Sequence, residues 1–549
     1  MTKGIDFLIR NGLVVDGLGN QPFKADVGVS DGRISHIEPN ISADAKDVFD
    51  AKGLTICPGF IDAHSHSDMS VPFDNRLESM IRQGVTTSVI GNCGSSLAPV
   101  NDNTIDLIQK EFDVFSPPGQ DLKITWRSFA EYLDTLEKTG TPINMVPLVG
   151  FGTLRIAAGP AFDDRGPTRR ELASMKSAVA EAMEAGAFGM STGLFYAPQI
   201  FASEDEIIEL AKTVAEYNGI YASHIRGEGA SVVQAVKELI NTVERAGCRR
   251  GQISHHKVSG QPHWGTSKHT LKLIAEANKR GLRIACDQYP YNRGMTSLIS
   301  LLPPWVHEGG METILDHLKT PESQIQIKRD VNGGTEGWEN IVNNVGWDRI
   351  YIASVRTDKW RDIQGKSLKQ IAEEYGYSDT FQLLFDLLLD EEGEVSMTIE
   401  SMGEADIRRI MKDKYTMIGT DGWGLSSTGV FGYIKPHPRS YGTYPRILGK
   451  YVREERLLTL QEAVWKMSGF PAEAFGLRDR GSIKVGSWAD IVVFDSSTIR
   501  DKATYLDPHQ FPVGIRYVFV NGRLVVDGST QLDVFPGKVL RHETGIHSS

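Results

Sequence analysis

The sequence predicts an α/β protein: a (β/α)8 barrel of the TIM type, joined to a small β-domain built from both ends of the chain. Two observations predict this fold. In the middle of the chain, short apolar segments alternate with helix-like segments such as TRRELASMKSAVAEAMEAG and SEDEIIELAKTVAEYNG. The two ends instead contain short apolar runs separated by NG and DG dipeptides, which are typical of small antiparallel sheets.

Eight apolar segments of the middle region end in polar or reactive residues. They are LTICPGFIDAHSH, TTSVIGNCG, NMVPLVGFG, AFGMSTG, IYASHIR, GQISHHK, RIACDQYPY and YTMIGTDG. Strand–helix alternation repeated eight times predicts a closed parallel barrel, and in that fold the active site lies at the C-terminal ends of the strands. The His, Cys, Asp, Lys and Tyr residues at these ends are therefore candidates for catalysis.

The likeness of the two chain ends predicts one composite β-domain, residues 1–56 plus 477–549, around a barrel of residues 57–476. A long stretch separates the seventh and eighth predicted strands, and we assign an insertion to about residues 301–400. It holds two further strand candidates, RIYIASV and VSMTIE. The insertion is expected either to cover the active site at the barrel mouth or to form a solvated surface extension.

The composition is that of a globular protein with no nucleic-acid or membrane partner. The net charge of −11 lacks the concentrated basic face that nucleic acids require, and no apolar run approaches the ~20 residues that span a bilayer. The four cysteines, Cys57, Cys93, Cys248 and Cys286, form no CxxC pair, which argues against a disulfide framework. The N-terminal MTKGIDFLIRNG has no signal-peptide pattern, so we expect a cytoplasmic protein. The sequence indicates no oligomeric state.

Three of the predicted strand ends carry residues that can bind a metal ion. His64 and His66 form an HxH pair, and because side chains alternate along a strand, both imidazoles point to the same side. Cys93 follows the second strand within GNCG, where glycines allow a sharp turn, although a free cysteine is most often a buried structural thiol. Asp421 follows the eighth strand in IGTDG, and DG is also a turn dipeptide.

His224 and His255 end the fifth and sixth predicted strands. One thiolate and two imidazoles, with water as the fourth ligand, make a tetrahedral catalytic zinc site. His256 competes with His255, because adjacent strand residues point to opposite faces and only one of them faces the barrel axis. The clustering of metal-competent groups at five strand ends predicts a metal site. Its candidates are His64, His66, Cys93, His224, His255 and Asp421.

At these residues the chain resembles the amidohydrolase superfamily and, within it, the D-aminoacylase (N-acyl-D-amino-acid deacylase) family. The resemblance covers nearly the whole chain. Its motifs are PGFIDAHSHSD, GNCGSSLAPV, GMSTGLFYAP, SHIRGEG, ISHHKVSG, DQYPY, LLPPW, IGTDG, HPRSYGTYPRILGKYVREE and DRGSIKVGSWADIVVFD. It implies a (β/α)8 barrel with a small β-sandwich domain formed by both termini.

The resemblance also implies a Zn²⁺ ion held tightly by Cys93, His224 and His255, which favours His255 over His256. The carbamylated lysine that usually bridges two metals in the superfamily has no counterpart in AFGMSTG, so the Cys93 thiolate would take that role. A second, weaker metal position would use His64, His66 and Asp421.

The substrate implied by the resemblance is a small N-acylated molecule with a free carboxylate, which Lys257, Tyr289 and Arg439 would bind. An Arg can hold a carboxylate with two hydrogen bonds, and a Lys adds a point charge. After DQYPY the chain has NRGMTSL in place of a hydroxyl-rich loop, so Arg293 and Met295 are expected to alter side-chain specificity.

The implied activity is zinc-dependent hydrolysis of the amide bond of N-acyl-D-amino acids, which gives a carboxylate and a free D-amino acid. Asp421 would act first as general base and then as general acid. Two alternatives stay open. One is a metal-dependent hydrolase of another amide, such as a cyclic amidase or a deformylase. The other is a serine hydrolase that uses Ser191 of the G-x-S-x-G segment.

Overall fold

Eight parallel strands form a closed barrel in the computed structural model, which describes residues 4–113, 116–117, 120–334 and 337–543. All the strands of the described chain, in the barrel and outside it, are β1 (Ile5–Val14), β2 (Phe23–Ser30), β3 (Arg33–Glu38), β4 (Ala45–Asp50), β5 (Thr55–Pro58), β6 (Phe60–Asp62), β7 (Val85–Ile90), β8 (Asn144–Pro147), β9 (Val149–Gly150), β10 (Gly189–Gly193), β11 (Ile220–His224), β12 (Arg250–Ile253), β13 (Arg283–Gln288), β14 (Arg293–Ser297), β15 (Ile350–Ser354), β16 (Ser396–Glu400), β17 (Thr416–Ile418), β18 (Ile491–Phe494), β19 (Ile515–Val520), β20 (Arg523–Asp527) and β21 (Thr530–Gln531).

The α-helices are α1 (Glu78–Ile81), α2 (Ile105–Asp113), α3 (Phe129–Thr139), α4 (Phe151–Ala158), α5 (Arg169–Ala185), α6 (Glu204–Glu216), α7 (Val232–Ala246), α8 (Ser267–Lys279), α9 (Met311–Lys319), α10 (Pro321–Gly333), α11 (Ile341–Val345), α12 (Leu368–Tyr375), α13 (Thr380–Asp390), α14 (Glu404–Lys412), α15 (Arg439–Arg446), α16 (Leu460–Met467) and α17 (Gly469–Phe475). A π-helical segment, Ile447–Glu454, continues α15. Among the described residues no helix combines the length and apolar composition needed to cross a membrane.

The barrel follows the order of the chain. Strands β6, β7 and β8 pair in parallel, as do β9, β10, β11, β12, β13 and β17. Strands β8 and β9 form one strand bent at Leu148, whose N–H donates to Ile90 O at 2.9 Å. A bridge between Ser65 and Gly422 joins the first strand to the eighth and closes the ring. Each predicted strand segment thus contributes a barrel strand, although the first half of LTICPGFIDAHSH forms β5 of the terminal sheet.

The barrel interior is filled by apolar side chains from most of its strands, as expected for this fold. One buried cluster contains Ala63, Val89, Val146, Leu148, Ile220, Ala222, Ala285 and Met417. Because the interior is packed, a ligand can bind only at the rim of the barrel. The polar residues at the C-terminal ends of the strands lie at this rim.

Strands from both ends of the chain form a single nine-stranded sheet in the order β21-β20-β19-β18-β5-β1-β2-β3, with β4 on β1. The prediction that the N-terminal segment is wholly antiparallel was wrong. Strands β4 and β5 pair with β1 in parallel, since the chain crosses over the sheet between strands instead of turning back in a tight hairpin. Residues 1–3 and 544–549 of the predicted composite domain lie outside the described residues.

The chain between β13 and β17 contains its own small sheet, β14-β16-β15, together with helices α9 to α13. RIYIASV and VSMTIE form β15 and β16 as predicted. The third strand, β14, was not predicted and begins at Arg293, ahead of the expected start of the insertion. A separate hydrophobic core, which includes Leu298, Ile327 and Phe385, supports this region.

A fully buried ion pair joins α4 to α6 beside the barrel. Arg155 Nη1 lies 2.6 Å from Glu206 Oε1, and the same guanidinium donates to the carbonyl oxygens of Ala161, Asp163 and Arg165. Removal of one partner of a buried pair leaves an uncompensated charge in the interior.

We expect Arg155→Met to destabilise the protein by about 3–5 kcal/mol, because Glu206 would stay buried without its partner. The measurement is the midpoint of thermal unfolding. Arg165→Met is the control, since its pair with Glu171 is partly exposed and is worth about 1 kcal/mol or less. Equal shifts for the two variants would contradict the assignment.

Candidate metal centre

The loops after the first and eighth barrel strands bring His64, His66 and Asp421 together. Asp421 N–H donates to His64 O at 2.8 Å, and His66 N–H donates to Gly422 O at 2.8 Å, so the two loops are locked to each other. Asp421 Oδ1 lies 3.5 Å from His64 Nε2 and 3.3 Å from His66 Nε2. Both imidazoles of the HxH pair therefore reach one carboxylate.

Cys93 occupies the centre of the site. Its Sγ lies 3.4 Å from His64 Nε2, 3.4 Å from His255 Nε2 and 3.9 Å from His224 Nδ1. The residue has a left-handed backbone with φ of 54°, a conformation that costs a non-glycine residue about 1–3 kcal/mol. The turn that carries Cys93 thus directs the sulfur away from the strand and into the ring of imidazoles.

Ser191 holds this strained turn in place. Its Oγ accepts a hydrogen bond from Gly94 N–H at 2.9 Å and donates to Gly91 O. The Gln199 side chain supports the same turn by donating to Cys93 O at 3.1 Å. Ser191 is buried and committed to the backbone, so the arrangement argues against the serine-hydrolase alternative.

The two adjacent histidines after β12 point in different directions. His255, with φ of 36°, faces Cys93 on one side and Lys257 on the other, where its Nδ1 lies 2.8 Å from the Lys257 ammonium. His256 instead packs toward α8 and makes a 2.8 Å hydrogen bond with Thr270 Oγ1. Only His255 therefore faces the other metal-competent side chains.

The six predicted metal-competent residues lie together, but they group differently from the two predicted positions. The ligand atoms of His64, Cys93, His255 and Asp421 lie within 4.8 Å of one another, and His224 groups instead with His255 and Glu228. The larger group thus takes two members from each predicted position. The ligand set of each metal position stays a prediction.

Charge in the cluster suits a cation. Burial alone would raise the pKa of Cys93, but the neighbouring His64 and His255 hold it well below its ordinary value. Burial likewise opposes ionisation of Asp421, yet Arg439 and His255 hold its pKa well below the usual range. Burial and the Lys257 ammonium lower the pKa of His255. A thiolate, a carboxylate and a neutral imidazole are the forms in which these groups bind zinc, so Cys93, Asp421 and His255 fit that metal.

Two carboxylates behind the cluster were not predicted from the sequence. Glu228 Oε1 lies 2.6 Å from Lys257 Nζ and 3.2 Å from His255 Nδ1. Asp287 accepts a hydrogen bond from His255 N–H at 3.0 Å and lies 3.7 Å from His64 Nδ1. Carboxylates commonly orient ligand imidazoles in this way. The signal was available, because Glu228 stands in SHIRGEG and Asp287 opens DQYPY.

Lys257, Tyr289 and Arg439 lie on one side of the cluster. Arg439 Nη1 lies 2.7 Å from Asp421 Oδ2, and its guanidinium stacks 4.6 Å from the centre of the Tyr289 ring. The Lys257 ammonium lies 5.7 Å from the same ring. The three residues are buried and line the same cavity as the cluster.

This cavity has a volume of about 360 Å³ and is walled both by the barrel and by the chain between β13 and β17. Met295 lines it, whereas Arg293 turns away, pairs with Glu400 and stacks on Tyr351. Of the two residues expected to alter specificity, only Met295 borders the cavity.

Comparisons with known proteins agree with this geometry. Residues 47–526 match the model of the amidohydrolase family. The chain is 35% identical to the D-aminoacylase of Alcaligenes xylosoxydans xylosoxydans over 98% of each chain. It is also 35% identical to the N-acyl-D-glutamate deacylase of that organism, over 100% of this chain and 98% of the relative.

A solved structure is also similar to this chain in fold and in sequence. It is the N-acyl-D-glutamate deacylase from Bordetella bronchiseptica, complexed with zinc and a phosphonate inhibitor that mimics the tetrahedral intermediate. The match has a TM-score of 0.80 at 33% identity and covers 98% of this chain and 100% of that chain. With its barrel, its β-sandwich domain and its cluster of metal-competent residues, the chain belongs to the amidohydrolase family.

Proposed function

We propose that the protein is a metal-dependent deacylase that hydrolyses the amide bond of N-acyl-D-amino acids. The observation that carries the proposal is that a buried cluster of metal-competent residues adjoins Arg439, Lys257 and Tyr289 in the wall of one cavity. Relatives that match the chain end to end are named for this reaction. A cluster that activates water and a cationic wall that binds a carboxylate are the two parts such a reaction requires.

The residues that would hold a tightly bound zinc ion are Cys93, His224 and His255. A weaker second position would use His64, His66 and Asp421. A bound zinc ion supplies Lewis-acid activation of water and of a carbonyl group.

Asp421 is the proposed general base and acid. Its carboxylate is ionised and borders the cavity, so it can accept a proton from the attacking water and then deliver it to the leaving nitrogen. Arg439 keeps this carboxylate oriented through the 2.7 Å contact between Nη1 and Oδ2. The free Nε of Arg439 is buried with no hydrogen-bond partner among the described residues, which suits a group that receives an anion.

The cavity favours a neutral amino-acid side chain on the substrate. The lysine and arginine side chains among its described lining residues are Lys110, Lys257 and Arg439. Lys257 and Arg439 are needed for the α-carboxylate, and Lys110 pairs with Glu312 at the rim, with an Nζ–Oε1 distance of 2.6 Å. A second substrate carboxylate would therefore be desolvated without a partner, which is costly.

We expect Asp421→Asn to lower kcat by about 10³-fold, because the variant cannot accept or return the proton. Steady-state kinetics with N-acetyl-D-leucine and metal analysis of the same sample are the two measurements. The zinc at the tight position should remain. Near-native turnover would show that another group is the base.

Cys93→Ala should release the tightly bound metal, because the variant removes the central thiolate from the cluster. The metal-to-protein ratio of the purified protein measures the effect. Cys248→Ala is the matched control, since Cys248 is an equally buried thiol that donates to Ala211 O far from the cluster. Full metal occupancy in the Cys93 variant would remove that residue from the ligand set.

The proposed substrate can be tested with the protein unaltered. We expect kcat/KM for N-acetyl-D-leucine to exceed that for N-acetyl-D-glutamate by at least about 100-fold, since the second carboxylate would be left unpaired. N-acetyl-L-leucine should not be a substrate. A preference for the glutamate derivative would contradict the neutral pocket, and hydrolysis of none of the three would contradict the deacylase activity.

A further inference from the structure

We infer that the substrate carries a medium or long aliphatic acyl group, and that the far part of the cavity is the site for its chain. The inference rests on the proposed deacylase function and adds a substrate class that the function alone does not give. The supporting observation is the position of the apolar lining residues relative to the proposed carboxylate-binding residues.

The two chemical halves of the cavity follow different barrel strands. Lys257, Tyr289 and Arg439 come after the sixth, seventh and eighth strands of the ring. The lining residues after the second, third and fourth strands are mostly apolar or small; they include Gly94, Gly152, Ile156, Phe195 and Ile200. Because the barrel strands follow one another in order, these two groups lie on opposite sides of the metal-competent cluster.

The covalent structure of the substrate assigns the apolar side. In an N-acyl amino acid the carboxylate and the acyl chain lie on opposite sides of the scissile amide. If the carboxylate is bound at Arg439 and the carbonyl lies over the cluster, the acyl chain leaves toward the second to fourth strands. The amino-acid side chain branches from the α-carbon, on the carboxylate side of the amide.

Small and apolar residues form the wall of the cavity on the side of the cluster nearest Cys93. Gly94 and Gly152 present only backbone to the cavity. Added Cβ atoms would meet the Gln199 side chain, at 1.9 Å for Gly94 and 2.8 Å for Gly152. Phe195 stacks on His224 with ring centres 5.8 Å apart and so forms an apolar wall directly beside the cluster.

The apolar lining continues away from the metal-competent residues. Phe162 and Met311 line the next part of the cavity. Gly310, with φ of +85°, brings the backbone before α9 close to Phe162, since a Cβ there would lie 3.5 Å from that ring. Leu107 and Phe112 on α2 line the same region.

A charged pair marks the rim. Lys110 Nζ on α2 lies 2.6 Å from Glu312 Oε1 on α9, and both side chains are largely exposed. The passage thus has a largely apolar lining, interrupted by Glu111, whose pKa burial raises to about 8, and a charged edge, which suits an aliphatic chain. Pockets of about 300–1,000 Å³ hold drug-sized ligands, so a cavity of about 360 Å³ holds much more than an acetyl group.

The test is a chain-length series with the zinc-loaded enzyme: N-acetyl-, N-butanoyl-, N-octanoyl- and N-dodecanoyl-D-alanine. Each buried methylene group is worth about fourfold in binding. We expect kcat/KM to rise by at least about 100-fold from acetyl to octanoyl. A parallel series keeps the acetyl group and lengthens the amino-acid side chain.

A variant pair localises the effect. Met311→Trp should fill the far part of the cavity and lower kcat/KM for the octanoyl substrate at least about 10-fold more than kcat/KM for the acetyl substrate. Ile325→Trp is the control, because Ile325 lies on α10 with 64% of its surface exposed. If the Met311 variant does not fold, inhibition of the unaltered enzyme by acetate, butanoate and octanoate replaces it, with tighter inhibition expected for the longer acids.

The outcomes separate the two proposals. Hydrolysis of the acetyl substrate without any gain from longer acyl groups would overturn the inference and leave the deacylase function standing. A gain that follows the amino-acid side chain instead would assign the passage to that side chain and also overturn the inference. If the enzyme hydrolyses no member of either series, both proposals are overturned.

Discussion

A buried thiolate is the constraint on which the rest of the site depends. Cys93 lies among three imidazoles in the interior, where an unpaired anion is costly. Its left-handed backbone adds strain, and His255 and Asp421 share that conformation with φ of 36° and 49°. Backbone strain of this kind persists only where the surroundings hold it. Here the hydrogen bonds of Ser191 and Gln199 to the Cys93 turn do so.

A connected series of titratable side chains extends outward from this thiolate. His255 separates Cys93 from the Lys257 ammonium, and Glu228 compensates Lys257 at 2.6 Å. Burial, followed by the negative charge of Glu228, raises the pKa of Glu339 to about 7. Glu339 accepts a hydrogen bond from Glu228 N–H. This bond connects the chain between β13 and β17 to the charged residues beside the cluster. Substitution of one of these charged residues would therefore also alter the pKa values of its neighbours.

The barrel could be predicted from the sequence because each strand combines an apolar segment with a reactive end. The choice between His255 and His256 required the family resemblance, since alternation says only that the two differ in direction. The grouping of His64 with Cys93 and His255 could not be predicted, because it depends on how far each loop carries its side chain past the strand. Glu228 was missed because its partner Lys257 is 29 residues away. The parallel pairing of β4 and β5 was missed because turn dipeptides reveal a hairpin but not a crossover.

The pairing of β5 with β18 sets an order of events during synthesis. Pro58 pairs with Ile491, so more than 400 residues separate the two partners along the chain. At about 5–20 residues per second, the free edge of β5 waits roughly 20–90 s for its partner to leave the ribosome. Exposed strand edges can pair with other chains. The N-terminal strands of this protein are therefore the part that a chaperone would need to protect longest in a cell that makes it.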